Sequence, residues 1–201
     1  MKNIHIVIDN GHGINTPGKR SPDGRLMEWK WNREFAKLLS DRLNELNIPN
    51  DLIVEEDKDI SLKARCDRAN TIYKVNKAKG IETIFISIHV NAAAGTGWHN
   101  ARGFTCWIYT QAGSKSVKLG KCFSDTSKKM KLTGNRSLPA SGYHTANFYV
   151  LKHTLGPAIL CENMFMDNKE DVEFLLSDEG KKKLIDLYEI SILSYIHDIN
   201  G

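Results

Sequence analysis

Short apolar segments of strand type alternate along this chain with longer segments of helical periodicity, and this alternation restricts the folds that the chain can adopt. Residues 83–88 form a short run rich in β-branched side chains, as expected of a strand covered on both faces. Residues 28–46 instead repeat apolar side chains at helical spacing. Strands that alternate with helices of crossover length predict a three-layer α/β domain, in which helices cover both faces of a mostly parallel, twisted sheet of about six strands.

The rest of the chain continues this pattern without a visible boundary. The predicted strands are 4–9, 52–54, 83–88, 104–109, 147–151 and 158–161. The predicted helices are 28–46, 61–77 with Ser61 as N-cap, 114–130, and 169–199 with a break near 177–180. No repeat, low-complexity tract or Pro/Gly/Ser-rich linker divides the sequence, so we expect a single domain over residues 1–201.

Composition argues against several classes of protein. The formal net charge of +4 is mild and scattered, which argues against a nucleic-acid partner and suits weak attraction to an anionic surface. No apolar run approaches the ~18 residues of a transmembrane helix, and the N-terminus shows no signal-peptide pattern. The four cysteines include no Cys-x-x-Cys pair, so we expect reduced and mostly buried thiols.

Four polar side chains are expected at the carboxyl edge of the predicted sheet. His12, His89 and Glu162 each follow one of the predicted central strands. Glu28 begins the first helix, after a loop rich in glycine and proline. Because ligands bind outside the carboxyl ends of parallel strands, these side chains should converge. Each has an ordinary explanation when taken alone, such as a loop histidine or a first-turn carboxylate, and only their joint placement points to a site.

Two imidazoles and one carboxylate form a known ligand set for catalytic zinc. Three protein ligands leave one position open for water, and the metal lowers the pKa of that water to about 7. A further carboxylate must take the proton of the water and deliver it to the leaving nitrogen. The spacing therefore indicates a zinc hydrolase, with one Zn²⁺ held by His12, Glu28 and His89 and with Glu162 in the proton-transfer role.

These residues lie in an ordered set of motifs that resembles the N-acetylmuramoyl-L-alanine amidase family 3, the zinc amidases of bacterial walls (autolysins) and phage endolysins. The motifs are Ile-Val-Ile-Asp-Asn-Gly-His-Gly at 6–13, Glu28, Ser-Leu-Lys-Ala-Arg at 61–65 with Ala-Asn at 69–70, Ser-Ile-His-Val-Asn-Ala at 87–92, and Pro-Ala-Ile-Leu-Cys-Glu-Asn at 157–163. The resemblance spans residues 4 to about 195. It implies that His12, Glu28 and His89 bind zinc, that Glu162 is catalytic, and that the fold is one α/β domain with a mainly parallel sheet.

The chain departs from the family pattern in three places. In the first motif, Ile14 stands where a second glycine after His-Gly is common. The family usually has Glu-x-Gly-Phe after the last strand, whereas residues 162–165 read Glu-Asn-Met-Phe, which leaves the local turn open. The segment 133–147 is longer than the short loop expected there. We expect this segment to border the cleft and to shape the choice of substrate.

The activity implied by the resemblance is hydrolysis of the amide bond between N-acetylmuramic acid and the L-alanine of the peptidoglycan stem peptide. Asn91 and Arg65 are candidate substrate contacts. Asn91 could equally be a turn residue, and a structural ion pair is the favoured role of Arg65.

Two alternatives use the same metal ligands. A zinc peptidase would cut within the stem peptide. A non-catalytic peptidoglycan-binding module would hold a structural metal with four protein ligands, and His144 or His153 would be the candidate fourth ligand.

The resemblance also implies where the protein works and what it meets there. Its partner is peptidoglycan, with no nucleic acid and no membrane insertion, and we expect a monomer without a separate wall-binding domain. Without a visible signal peptide, we expect synthesis in the cytoplasm and action at the bacterial wall in the manner of a phage or prophage endolysin, or secretion if a signal has been removed from the chain.

Overall fold

The structure is a computed structural model that describes residues 3–93 and 95–200, and it confirms the three-layer α/β architecture. The strands are β1 (Ile4–Asn10), β2 (Asn50–Leu52), β3 (Glu82–Asn91), β4 (Thr105–Tyr109), β5 (His144–Ala146) and β6 (Ala158–Phe165). The helices are α1 (Glu28–Glu45), α2 (Leu62–Ala78), α3 (Ser114–Lys129), α4 (Tyr149–His153), α5 (Lys169–Leu176) and α6 (Asp178–Asn200).

The six strands form one mixed sheet in the order β2-β1-β3-β6-β4-β5. The pairs of β1 with β2, of β1 with β3 and of β3 with β6 are parallel. Strand β4 runs antiparallel to β6 and parallel to β5. The three central strands therefore end at the same edge of the sheet, where the sequence places the candidate site.

Apolar side chains alternate between the two faces of the sheet, because successive residues of a strand point to opposite sides. Ile6 and Ile8 of β1 belong to a core shared with α1, α3, α5 and α6. Val7 of the same strand packs into a smaller core with residues of α2 and α4. Ser61 caps α2 as predicted, since its Oγ accepts a hydrogen bond from the Ala64 N–H at 3.1 Å.

One predicted strand is wrong. Residues 147–151 were expected to be extended, but the edge strand β5 lies earlier and the one-turn helix α4 begins at Tyr149. A short apolar run does not distinguish a strand from a buried helical turn. Here Val150 and Leu151 are adjacent and both buried, which a helical turn packed against α2 allows.

Further sequence expectations can be compared with the described residues. All four cysteines are free and buried, as expected. Among the described residues, no helix is both long enough and apolar enough to cross a membrane. The predicted domain over 1–201 includes positions 1, 2, 94 and 201, which lie outside the described residues.

Candidate active site

The fold brings together the three predicted metal ligands. His12 lies just after β1, Glu28 is the first residue of α1, and His89 lies within β3. One ligand atom from each residue lies within 4.8 Å of the other two. Glu28 Oε1 is 3.4 Å from His12 Nε2 and 3.2 Å from His89 Nδ1. In the described part of the chain, this is the one group of three potential metal ligands at such spacing.

Glu28 is almost wholly buried and only half satisfied. Its Oε1 accepts a hydrogen bond from the Val90 N–H at 3.0 Å, whereas its buried Oε2 has no hydrogen-bond partner among the described residues. A buried carboxylate oxygen without a partner is costly unless a cation or donor reaches it. Two imidazoles and this oxygen therefore fit a divalent metal ion with nitrogen and oxygen ligands.

The ionised carboxylate of Glu28 favours a bound cation at this cluster. Burial opposes ionisation of Glu28, but the neighbouring His12 and His89 outweigh it and hold the pKa of this carboxyl well below its usual range. Burial would lower the pKa of His89, but its hydrogen bond to Glu28 and the charge of that carboxylate raise it. Protonation of His89 competes with a metal ion for the same imidazole, so acid should weaken metal binding.

His12 adopts a backbone conformation that non-glycine residues rarely take. Its φ is +66°, in the left-handed region, and the neighbouring side chains hold it there. Arg33 Nη1 and Arg65 Nη2 both donate to the His12 carbonyl oxygen, at 3.1 and 3.3 Å. Asn32 Nδ2 donates to the Gly11 carbonyl at 3.1 Å, and Arg65 Nη1 to the Asn10 carbonyl at 2.7 Å. We call these three side chains the carbonyl clamp.

Arg65 is the centre of this clamp and is itself 2% exposed. It pairs with Asp9 at 2.5 Å and with Asp59 at 2.8 Å. Asp9 also accepts from Ser87 Oγ at 2.7 Å, which joins β1 to β3 below the site. These contacts support the structural role of Arg65, and its contact with substrate stays a prediction.

Gly11 is required by the close approach of the second histidine. A Cβ atom added at Gly11 would overlap the imidazole ring of His89, which occupies the space beside the backbone. The rings of His12 and His89 meet edge to face with centroids 4.9 Å apart. The motif Asn-Gly-His therefore supplies one ligand and makes room for another.

Glu162 lies in β6 directly opposite His89, as the register of the two parallel strands shows. Both strands extend further than predicted, so neither residue follows its strand; a bulge after His89 shifts the pairing instead. Burial raises the pKa of the Glu162 carboxyl to about 7, and the charge of Glu28 adds to the rise against the opposing effects of His89 and Lys19. Its buried Oε2 has no hydrogen-bond partner among the described residues.

The bulged end of β6 after Glu162 is built without the glycine of the family pattern. Met164 has φ +63° and is 4% exposed, so a buried methionine occupies a left-handed position that suits glycine. Asn163 Nδ2 donates to the His89 carbonyl at 3.0 Å and exchanges hydrogen bonds with the Tyr188 hydroxyl in the core. The residue beside Glu162 thus also anchors the strand that carries a metal ligand.

A cavity of about 250 Å³ is lined by the candidate ligands His12 and His89 and by Glu162. Its wall also includes the candidate residue Arg65, with Asp9, Asp59, Val150 and Leu160. Four further side chains line it, namely Lys19, Leu62, Phe148 and Tyr149, and the last three are exposed. These four residues could not be identified as cavity residues from the sequence, since neither their type nor their spacing marks them. The segment 133–147, expected at the cleft, contributes no lining residue to this cavity. A larger cavity of about 600 Å³ lies at the opposite edge of the sheet, without a metal-ligand cluster.

The other candidate residues lie elsewhere. Asn91 ends β3, where its Oδ1 accepts from the Ala92 N–H at 2.9 Å, and it does not line the cavity. His144 stacks on Trp107 and His153 stacks on Tyr149, so neither histidine joins the three-ligand cluster. A fourth protein ligand is therefore not found among the described residues.

Comparison with known proteins gives a consistent result. The family model described as N-acetylmuramoyl-L-alanine amidase matches residues 6–193. The N-acetylmuramoyl-L-alanine amidase CwlM of Bacillus licheniformis is 34% identical over 87% of this chain and 61% of its own length. The endolysin of Bacillus phage SPP1 is 35% identical over 56% of this chain and 38% of its own length. This chain thus spans less than two thirds of these relatives. The crystal structure of an N-acetylmuramoyl-L-alanine amidase from Clostridium difficile 630 is 25% identical, with a TM-score of 0.79 and 98% of both chains covered.

Proposed function

This chain belongs to the N-acetylmuramoyl-L-alanine amidase family, and we propose from this that it hydrolyses the amide between N-acetylmuramic acid and the L-alanine of the peptidoglycan stem peptide. The observation that carries the proposal is the convergence of His12, Glu28 and His89 within 4.8 Å of one another, with Glu162 paired to His89 in the next strand. A ligand cluster beside a buried, partly unsatisfied carboxyl group is the arrangement that metal-assisted amide hydrolysis requires.

His12, Glu28 and His89 would hold one zinc ion. When bound, zinc supplies a positive charge that makes water acidic near neutral pH and stabilises negative charge on the carbonyl oxygen under attack. The carbonyl clamp keeps His12 in its left-handed conformation, and the Val90 N–H fixes one oxygen of Glu28. The chain thus fixes the direction of its ligands before any metal arrives.

Glu162 carries the proton in the proposed reaction. Its carboxylate accepts a proton from the attacking water and then donates it to the nitrogen of L-alanine, which leaves as an amine only when protonated. A pKa of about 7, raised by burial, allows both states near neutral pH. Its free Oε2 has no hydrogen-bond partner among the described residues that would compete for the proton.

The cavity wall suits the substrate in charge and shape. Lys19 supplies a positive charge beside Glu162 for a stem peptide that carries carboxylates. Phe148 and Tyr149, 37% and 38% exposed, offer flat apolar surface to the sugar or the lactyl group. We further propose that the chain acts as one catalytic domain and a monomer at the bacterial wall.

The test is product analysis on a defined muropeptide after metal loading. The proposal predicts a free stem peptide with L-alanine at its amino terminus, detected by mass spectrometry, and about one zinc per chain by elemental analysis. A shortened peptide still attached to sugar would instead identify a peptidase. Binding to peptidoglycan without any product would identify a wall-binding module.

A further inference from the structure

The positive charge of this chain is concentrated in residues 114–136, which comprise α3 and the turn that follows it. This segment contains seven basic residues and one acidic residue, Asp125, so its formal charge is +6, whereas the whole chain has +4. The basic residues are Lys115, Lys118, Lys121, Lys128, Lys129, Lys131 and Arg136. The rest of the chain is therefore slightly acidic, and the excess that looked scattered in the sequence is local.

Most of these basic side chains lack a carboxylate partner. All seven residues are exposed. Lys115 pairs with Glu82 at 2.6 Å, and Lys118 Nζ donates to the Asp198 backbone carbonyl at 2.7 Å. Within the described ranges 3–93 and 95–200, no other basic residue of the segment forms an ion pair. Asp125 and Asp198 line one groove with Lys118, Lys121 and Lys129 but form no ion pair with them among the described residues, so they offset only part of the positive charge.

Helix α2 provides an internal comparison because it is also rich in basic residues. Three of them have carboxylate partners: Lys63 pairs with Asp67, Arg65 with Asp9 and Asp59, and Arg68 with Glu56. Lys74, Lys77 and Lys79, towards its end, form no ion pair among the described residues. Basic composition alone thus does not make a helix face positive, and α3 differs from α2 by having few acidic neighbours.

The lysines of α3 form a stripe along the helix. Lys118, Lys121, Lys128 and Lys129 follow the three- and four-residue spacing of one helix face, interrupted by Asp125. From Lys118 to Lys129 this face has a length of about 17 Å, from a rise of ~1.5 Å per residue. Val117 is the one large apolar residue exposed on this helix. The face offers charge without the aromatic or apolar side chains that anchor a protein in a membrane.

We infer that this lysine face, defined as Lys118, Lys121, Lys128 and Lys129, binds an anionic polymer with closely spaced phosphate groups. Lysine presents a compact, hydrated point charge on a flexible stem, which suits a row of phosphates. Helix α3 contains no arginine, so the face lacks the paired donors that grip a single carboxylate or phosphate, and its attraction depends on the density of charge along the polymer. Three residues beyond the end of α3, the Leu132 carbonyl accepts a hydrogen bond from the Phe104 N–H, next to the start of β4, where Thr105 pairs with Glu162. A polymer on this face therefore holds the domain with its catalytic edge close to the same surface.

The experiment compares two triple variants with the same change of net charge. One carries Lys118→Glu, Lys121→Glu and Lys129→Glu, and the other carries Lys74→Glu, Lys77→Glu and Lys79→Glu. Binding of long-chain inorganic polyphosphate is measured by fluorescence anisotropy at ~50 and ~200 mM salt. We expect the α3 variant to bind at least about tenfold more weakly than wild type at low salt, and the α2 variant to change less than about threefold. Wild-type affinity should fall steeply with salt.

Three results would overturn the inference. They are equal losses in both triple variants, tighter binding of poly-L-glutamate than of polyphosphate, and no binding by wild type. Hydrolysis of a small soluble muropeptide should be unchanged in the α3 variant, so failure of this inference is distinguishable from failure of the proposed activity. If the reversed charges prevent folding, the same three lysines changed to glutamine give the neutral version of the test. A triple change to arginine should retain polyphosphate binding.

Discussion

His12 and Glu162 line the same cavity, but the chain prepares them by different physical means. The backbone of His12 is held by charged and amide side chains that bind its own carbonyl and the two before it. Glu162 has a buried oxygen without a hydrogen-bond partner and a pKa raised to about 7 by burial. A metal ligand must point in a fixed direction, and hydrogen bonds to the backbone fix that direction for His12. A proton carrier needs a pKa near the working pH, and desolvation brings the pKa of Glu162 there.

The largest effect should follow from removing a ligand. His89→Ala is expected to abolish metal binding and to lower amidase activity on the order of a thousandfold or more, because several kcal/mol of charge stabilisation are lost. Zinc content by elemental analysis and the rate of muropeptide hydrolysis measure both effects. His197→Ala, an exposed histidine near the end of α6, is the control and should match wild type. Substantial activity in His89→Ala would show that the reaction does not depend on a metal ion held by this histidine.

The second effect should distinguish the role of the proton carrier from the role of the metal ligands. Glu162→Gln is expected to retain zinc and to lower the rate by about 10²–10⁴-fold, because an amide cannot carry the proton. Glu28→Gln, the matched change on the metal side, should lower zinc affinity itself. Wild-type turnover by Glu162→Gln would show that another group transfers the proton.

A smaller effect should come from the carbonyl clamp. Arg65→Lys keeps the charge but loses the paired donors to Asp9, Asp59 and two backbone carbonyls, so zinc affinity should fall about 10–100-fold. Arg68→Lys is the control, since Arg68 lies on the same helix but bonds to Ile53 and Glu56. Competition with a metal-binding dye measures the affinity. Equal affinities in the two variants would mean that the clamp does not direct His12.

Because Arg65 is buried, its variant could lose stability as well as affinity. Arg33→Gln tests the same carbonyl from a half-buried position on α1. It should lower zinc affinity in the same direction, while urea unfolding of the metal-free protein reports stability separately. A loss of stability without any loss of affinity in both variants would reduce the clamp to a purely structural role.

The smallest effect concerns the bulge of β6 beside Glu162. Met164→Gly and Met164→Ala both lose buried side-chain contacts, but only alanine keeps the left-handed strain. The glycine variant should therefore be more stable than the alanine variant by about 1 kcal/mol, measured by urea unfolding. Within a regular helix or strand, alanine usually gives the more stable protein of the two, so the expected order of stability is reversed here. If the alanine variant were the more stable, the left-handed conformation at position 164 would not be a source of strain.

Much of the site could be predicted because its residues are tied to strands. His12, Glu28, His89 and Glu162 lie where three parallel strands approach one edge, and strand periodicity is visible in sequence. Their convergence is therefore a consequence of topology. The roles assigned to them still rest on the experiments above.

The contacts that support the site could not be predicted in the same way. Nothing in the sequence tells that Arg33 and Arg65 share the His12 carbonyl, because that depends on how α1 and α2 pack against the loop. The helical turn at Tyr149 was missed because five residues carry too little periodicity. The direction of β4 follows from its connection to the sheet, which no local pattern encodes.

The pairing of His89 with Glu162 across adjacent strands has a consequence for how such a protein can diversify. Neighbouring strands are separated by about 4.8 Å, a spacing set by peptide hydrogen bonds and independent of side-chain identity. The separation between the ligand strand and the acid strand is thus inherited from the main chain. Substitutions in the helices and at the rim of the cavity can therefore change which wall polymers are preferred. The distance between the two strands, on which the reaction depends, stays fixed by the backbone.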